Sequence, residues 1–139
     1  MGTVSPTYKR TLRGDMTEGL KSEIAIKPIL EKKFGSLTKT STYHPMDYEG
    51  DVWIEIKTRT FNYSKYPTTM IPYTKIEFAK TANKPVQFIF VFTDGIYMIE
   101  YTELFNTFNI SEFQRTGRDV IDVKKDYVYI PINCLEKIE

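Results

Sequence analysis

Cysteine and histidine are nearly absent from this sequence, which contains one of each, Cys134 and His44. A single cysteine excludes a disulfide within the chain and a zinc site built from cysteines. Without a second cysteine or histidine to act as a ligand, zinc is not the metal that we expect here.

Long hydrophobic runs are also lacking. No stretch approaches the roughly 20 apolar residues that cross a bilayer, and residues 1–14 lack the apolar segment of a secretory signal. We therefore expect a protein located inside the cell, in the cytoplasm or the nucleus. The formal net charge is only +1, so the overall charge does not by itself indicate nucleic-acid binding.

The chain has 139 residues, of which 41% are apolar and 27% are charged. This length and this composition are typical of one globular domain with its own hydrophobic core. We expect residues 1–14 to form a flexible leader and residues 15–139 to form that domain.

A first helix is predicted to begin near Asp15 or Thr17, either of which can cap the free N–H groups of a first turn. Pro28 should kink this helix or divide it in two, and Gly35 is expected to end it. The apolar face of the helix is predicted to consist of Met16, Leu20, Ile24, Leu30 and Phe34.

Two later segments have clear strand patterns. Val52–Thr60 alternates apolar and polar residues, and Val86–Thr93 is apolar on both faces, as in a covered central strand. The other predicted elements are a strand over 37–43, a loop over 61–70, a helix from Pro72 to about Lys80, a strand over 96–101, a short helix over 102–108 and a strand over 127–132. This order predicts an α/β domain with a mixed central sheet flanked by helices, followed by a C-terminal hairpin, short helix and strand.

Two carboxylates and one lysine are expected to meet on the first of these strands. If the chain reverses around Asp51, Asp47 lies opposite Glu55, and Lys57 points to the same face as Glu55. Two facing carboxylates repel each other unless a cation lies between them, and Mg²⁺ accepts such oxygen ligands. A metal ion beside a lysine would favour hydrolysis of a phosphodiester bond.

Glu23 lies within the apolar stripe of the predicted first helix, where an unpaired carboxylate is costly to bury. It either pairs with a lysine or lies at the end of the helix, or else it faces Glu55 as a further metal ligand. Glu18 falls on the solvent side of the same helix.

These residues resemble the motifs of a known nuclease group. Pro45-x-Asp47 followed by Glu55-x-Lys57 resembles the PD-(D/E)XK nuclease superfamily, and the upstream Gly19-x-x-x-Glu23 resembles the first helix of archaeal Holliday-junction resolvases. The resemblance covers about residues 15–93, and it implies a restriction-endonuclease-like core with the order α-β-β-β-α-β.

The resemblance also implies an activity, a cofactor and a site. The protein would be a metal-dependent endonuclease that uses Mg²⁺ or Mn²⁺ to hydrolyse nucleic acid, with DNA as the expected substrate. Asp47, Glu55 and the backbone carbonyl of Ile56 would hold the metal with Glu23 as an outer ligand, and Lys57 would be the catalytic lysine. The lysine that such families place on the second helix corresponds to Lys75, and members that cut both strands imply a homodimer.

Basic residues are concentrated between residues 57 and 80, where five basic residues accompany one acidic residue. We interpret Arg59, Lys65 and Lys75 as nucleic-acid contacts, although a solvated loop is the alternative. Arg118 lies in a second basic loop and is either a phosphate contact or a solvated charge.

His44 and Trp53 each allow two interpretations. His44 is either a metal ligand or base, or a surface or hydrogen-bonded residue, which is the more common role of a lone histidine. Trp53 shares the face of Glu55 and Lys57 and either stacks on a base or packs against the site.

Two functions without catalysis also stay open. The chain can be an inactive nuclease-like module for nucleic-acid binding or assembly, or a structural domain in which Glu55 and Lys57 form an ion pair. Binding of a divalent metal discriminates an active nuclease from both.

Overall fold

The computed structural model describes residues 23–113 and 125–139. Helix α1 covers residues 23–34 and helix α2 covers Tyr73–Thr81, and neither is long and apolar enough to cross a membrane. Two short 3₁₀ helices cover Glu103–Thr107 and Ile132–Cys134. The strands are β1 (Thr38–Lys39), β2 (Tyr48–Glu49), β3 (Trp53–Thr58), β4 (Thr68–Pro72), β5 (Val86–Phe92), β6 (Gly95–Glu100), β7 (Asn109–Phe113), β8 (Lys125–Pro131) and β9 (Glu136–Lys137).

The predicted leader over 1–14, the predicted start of the first helix, Glu18 and Arg118 lie outside the described residues. Those predictions stay predictions.

The larger sheet has six strands in the order β1-β2-β3-β5-β6-β9. Strands β3 and β5 run parallel, whereas every other neighbouring pair in this sheet is antiparallel. The prediction of a mixed α/β architecture with a mixed sheet is therefore confirmed. Strand β5 lies between β3 and β6 and is buried along almost its whole length, as its two apolar faces predicted.

A second sheet was not predicted. Strands β4, β8 and β7 form an antiparallel sheet of three, so the loop assigned to residues 61–70 is wrong from Thr68 onward. Strand β4 forms because it pairs with β8 far along the chain, for example Ile71 opposite Val128. Such distant pairing leaves little trace in a short local pattern that also contains a proline.

The six-stranded sheet buries a different hydrophobic cluster on each face. Ile54 and Ile56 of β3 pack with α1, in a cluster that includes Ile26 and Leu30. The opposite face packs against α2 and the second sheet, through residues that include Trp53, Phe88, Phe90, Ile71, Ile76, Val128 and Ile130. Since strand side chains alternate, Glu55 and Lys57 belong to the α2 face.

Helix α1 differs from its prediction in two ways. It is not divided at Pro28, because the carbonyl that the proline leaves without a donor belongs to Ile24, on the exposed side of the helix. Ile24 itself is 60% exposed, so its assignment to the apolar face is wrong. An ideal helix places it about 120° around from the fully buried Leu30. Gly35 ends the helix as predicted, with a φ of 87°.

Candidate active site

The turn between β2 and β3 sets the position of the site. Tyr48 lies opposite Ile54 and Glu49 lies opposite Trp53, so the chain reverses around Asp51 as the sequence predicted. This register brings residue 47 next to residue 55 at the end of the paired segment.

Asp47 ends the pairing of these two strands through its own side chain. Its backbone N–H donates to the Ile54 carbonyl at 2.8 Å, and its Oδ2 accepts from the Ile56 N–H at 2.7 Å. The Asp47 carboxylate oxygen thus occupies the position that a backbone carbonyl would have in a regular antiparallel pair of strands. The N–H and the carbonyl of a strand residue point to the same side, so the Ile56 carbonyl also points toward Asp47.

Glu55 carries a buried carboxylate with two lysines beside it. The residue is only 3% exposed, and its Oε2 lies 3.4 Å from Lys57 Nζ and 3.4 Å from Lys75 Nζ. Lys75 comes from α2, and its ammonium also donates to the backbone carbonyl of Pro45. We call Asp47, Glu55, Lys57 and Lys75 the Glu55 cluster.

The electrostatics of the cluster are dominated by burial. Loss of water raises the pKa of Glu55 to about 7, and the negative charge of Asp47 acts in the same direction. Lys57 and Lys75 lower this pKa, although not enough to offset the burial. The carboxylates of Asp47 and Glu55 therefore interact with each other, and an additional cation at this point would relieve their repulsion.

Glu23 lies near Asp47 but belongs to the other face of the sheet. Its Oε1 is 3.0 Å from Lys39 Nζ, and the same ammonium lies 3.8 Å from Asp47 Oδ1. Helix α1, which carries Glu23, packs on the face of β3 opposite to Glu55. The structure thus connects Glu23 to Asp47 through a lysine, whereas Glu55 meets the lysines of the α2 side.

Lys39 is the residue of this region that sequence reasoning missed. It lies on β1, and its register opposite Tyr48 brings it to the α1 side of the sheet, beside Asp47. Only the pairing of β1 with β2 could have revealed this, because the predicted strand over 37–43 specified no partner.

Arg59 is engaged inside the fold. Its Nε donates to Thr69 Oγ1 at 3.1 Å and its guanidinium donates to the Met70 carbonyl at 2.6 Å, both on β4. Burial lowers the pKa of Arg59. Lys65, a second predicted contact in this segment, is exposed, with its Nζ 5.5 Å from the ring centre of Tyr66.

His44 and Trp53 pack against each other at the edge of the cluster. Their rings stack with centroids 4.7 Å apart, and His44 Nδ1 accepts a hydrogen bond from the Met46 N–H at 3.0 Å. Trp53 is 9% exposed, with Phe78 against its edge. In the structure His44 is a hydrogen-bonded residue and Trp53 packs against its neighbours. Because Trp53 is buried, a nucleic-acid base has little access to its ring.

Within residues 23–113 and 125–139, no three histidine, cysteine, aspartate or glutamate side chains form a group that could hold a metal ion together. The oxygen atoms at this point of β3 belong to the carboxylates of Asp47 and Glu55 and to the carbonyl of Ile56.

Comparison of the chain with protein-family models, with curated proteins and with solved structures gave no match.

Proposed function

We propose that this protein is a metal-dependent nuclease that hydrolyses phosphodiester bonds in DNA at the Glu55 cluster. The observation that carries the proposal is the meeting of two interacting carboxylates and two lysines where β2 leaves β3. Glu55 is held there in spite of a burial that raises its pKa to about 7. Perturbed carboxylates with specific charged neighbours are typical of functional sites.

The donor set suits Mg²⁺ or Mn²⁺. Asp47 and Glu55 would supply carboxylate oxygens and Ile56 its carbonyl oxygen, and hard divalent cations take such ligands together with water and phosphate oxygens. When bound, the metal would polarise the phosphate and lower the pKa of a coordinated water. Glu23 is the candidate outer ligand. Lys39 lies between Glu23 and Asp47, so its ammonium would have to move before Glu23 could approach a metal bound to Asp47.

The two lysines have different roles in this proposal. Lys57 Nζ, whose side chain is 30% exposed, can turn toward a phosphate and stabilise the negative charge that develops on its oxygens. Lys75 holds the Glu55 carboxylate and the Pro45 carbonyl together, so it positions the carboxylate and fixes the segment that precedes Asp47.

The order of the elements supports a restriction-endonuclease-like core. Helix α1 is followed by the antiparallel strands β1, β2 and β3, then by α2, and β5 then pairs parallel to β3. Strand β4, inserted between β3 and α2, is an addition to the order implied by the sequence resemblance.

A cleavage assay tests the proposal. The wild-type protein is incubated with Mn²⁺ and with linear duplex DNA, single-stranded DNA, a four-way junction and RNA, and DNA cleavage is the expected result. Asp47→Asn should lose most activity and be partly rescued by higher Mn²⁺. Glu49→Gln is its matched control, because Glu49 lies two residues away and pairs with Lys84 instead.

Lys57→Ala should abolish cleavage while binding in Ca²⁺, measured by gel shift, stays nearly intact. The lysine would act on the reacting phosphate, whereas loss of one phosphate contact changes the salt slope of binding by only about one unit. Lys137→Ala on β9 is the control for charge removal. Cleavage at the wild-type rate by Lys57→Ala would contradict the proposal.

The distances of 3.4 Å from Glu55 to both lysines also favour a second candidate function, a structural ion-pair network. In that case the protein binds no divalent metal, and calorimetric titration with Mn²⁺ shows no heat of binding. A protein that binds metal and DNA but cleaves nothing would instead be an inactive nuclease-like binding module.

A further inference from the structure

Tyr43 is an aromatic side chain left almost entirely in water. It is 96% exposed, more than the other exposed large hydrophobic residues of the described chain, Ile24, Tyr66, Leu104 and Ile110. It lies at the third position of a tight turn, in which the His44 N–H donates to the Ser41 carbonyl at 3.1 Å. The fold gains no buried area from this ring.

The loop that carries Tyr43, residues 41–46, is held at both ends. The Thr40 N–H and hydroxyl both donate to the Asp47 carbonyl, at 3.0 and 2.9 Å, which closes the base of the loop. Inside the loop, Met46 is 1% exposed and the His44 ring stacks on Trp53. The exposed ring therefore stands on an anchored backbone, so little conformational entropy of the loop is lost when it meets a ligand.

The same loop is attached to the Glu55 cluster. Lys75 donates to the Pro45 carbonyl and lies 3.4 Å from Glu55. Tyr43 is two residues from Pro45, and consecutive Cα atoms are about 3.8 Å apart. The Tyr43 ring consequently lies within about 15 Å of the cluster, a span of about four stacked nucleotides at about 3.4 Å each.

Two lysines lie near the loop, Lys75 beside Glu55 and Lys84 beside Glu49, and each could exchange its carboxylate partner for a phosphate. Lys75 lies beside Pro45, and Lys84 Nζ lies 4.8 Å from the centre of the Trp53 ring on which His44 stacks. Cations that follow a phosphate backbone, together with an exposed aromatic ring, are the features by which proteins bind single-stranded nucleic acid.

We propose that Tyr43 stacks on an unpaired base, so that the preferred substrate is DNA with a single-stranded segment within about four nucleotides of the cleaved bond. This inference rests on the proposed nuclease function, whose substrate class it names. In a fully paired duplex each base stacks on its neighbours and must be unstacked before it can meet a protein ring. In a single strand, flap or overhang, the flat face of an unpaired base is already accessible, so the free energy of unstacking is not required.

Fluorescence anisotropy in Ca²⁺, which separates binding from cleavage, tests the inference. The probes are a blunt duplex and the same duplex with a single-stranded overhang of four nucleotides. Tyr43→Ala should bind the overhang probe roughly 5- to 100-fold more weakly than wild type, in line with the loss of one base–aromatic stack. Its affinity for the blunt duplex should not change, and Tyr43→Phe should retain wild-type binding to both.

Leu104→Ala is the control, since Leu104 is 49% exposed on a 3₁₀ helix outside the cluster, and it should bind both probes like wild type. Equal affinity of Tyr43→Ala and wild type for the overhang would overturn the inference. So would an equal loss on both probes, or a loss in Tyr43→Phe as large as in Tyr43→Ala, since the ring would then not be the group that discriminates.

Parallel cleavage reactions in Mn²⁺ separate this inference from the function on which it rests. If wild type cleaves no nucleic acid while the two probes are still discriminated through Tyr43, the nuclease proposal fails and Tyr43 is a stacking site of a binding module. If wild type cleaves DNA but Tyr43→Ala binds both probes normally, the nuclease proposal stands and the stacking inference fails.

Discussion

At the scale of single residues, burial controls the protonation of Glu55. Its pKa rises from 4.5 to about 7 on folding, so between these pH values the folded protein holds a proton that the unfolded chain has released. The free energy of unfolding should therefore fall as pH rises through this window, by about 3 kcal/mol in total. Urea unfolding at pH 5 and pH 8 in the presence of a chelator measures it.

Glu55→Gln has no proton to release at this position, so this part of the pH dependence should disappear in the variant. The variant should consequently gain stability relative to wild type at pH 8. The same slope in both proteins would mean that the Glu55 carboxylate is charged in the folded state throughout the window.

Lys39 is a second residue whose role can be measured directly. Its ammonium lies between Glu23 and Asp47, in a place where a bound divalent cation would compete with it. Lys39→Met should therefore lower the Mn²⁺ concentration that half-saturates the protein, by up to about fivefold, as expected for removal of a partly exposed charge. Calorimetric titration of wild type, Lys39→Met and the control Lys137→Met checks this, and weaker Mn²⁺ binding by Lys39→Met would contradict it.

At the scale of elements, the turn between β2 and β3 depends on Gly50. A Cβ atom there would lie 2.3 Å from the Ser36 carbonyl oxygen, a backbone atom that cannot move alone. Gly50→Ala should cost about 1–3 kcal/mol of stability and shift Asp47 relative to Glu55. Chemical denaturation measures the first effect and Mn²⁺ titration the second.

Gly95→Ala is the matched comparison, since Gly95 begins β6 at the turn that joins β5 to β6 in the same sheet. The nearest atom to a Cβ there is Cε of the flexible Lys137 side chain at 3.1 Å, and the Tyr97 ring and the Glu139 carbonyl oxygen follow at 3.2 and 3.3 Å, none of them as close as the 2.3 Å at Gly50. The loss should stay below about 1 kcal/mol. Equal losses in the two variants would show that the Gly50 turn has room to adapt.

The elements that the sequence predicted are those with a strong local pattern. Strand β3 alternates, β5 is apolar on both faces and α2 begins directly after Pro72, and each of these patterns depends only on near neighbours. Strand β4 and the position of Lys39 depend on partners elsewhere in the chain, which a local pattern does not encode. The reversal around Asp51 was predictable because both of its strands are adjacent in sequence.

At the scale of the whole molecule, Arg59 connects the two sheets. It extends from the end of β3 to Thr69 and Met70 of β4, where it replaces water as their hydrogen-bond partner. Arg59→Leu would leave the buried Thr69 hydroxyl and the Met70 carbonyl without this donor, and the expected loss is about 2–4 kcal/mol. Urea unfolding followed by tryptophan fluorescence measures it.

The same variant tests the prediction that Arg59 contacts nucleic acid. Because its donors are used within the fold, the salt slope of DNA binding should change little in Arg59→Leu under conditions where the protein stays folded. A variant of unchanged stability with a reduced salt slope would instead assign Arg59 to the nucleic acid.

The parallel pairing of β3 with β5 affects the order in which the protein folds during its synthesis. The hairpin of β5 and β6 closes over a short turn, but β3 can meet β5 only after β4 and α2 have been made and placed. Lys75 arrives with α2, so the Glu55 cluster is complete only once that long crossover has closed. In a chain still emerging from the ribosome, Asp47 and Glu55 would thus be present before the crossover brings Lys75 to them, and the activity proposed above would require that closure.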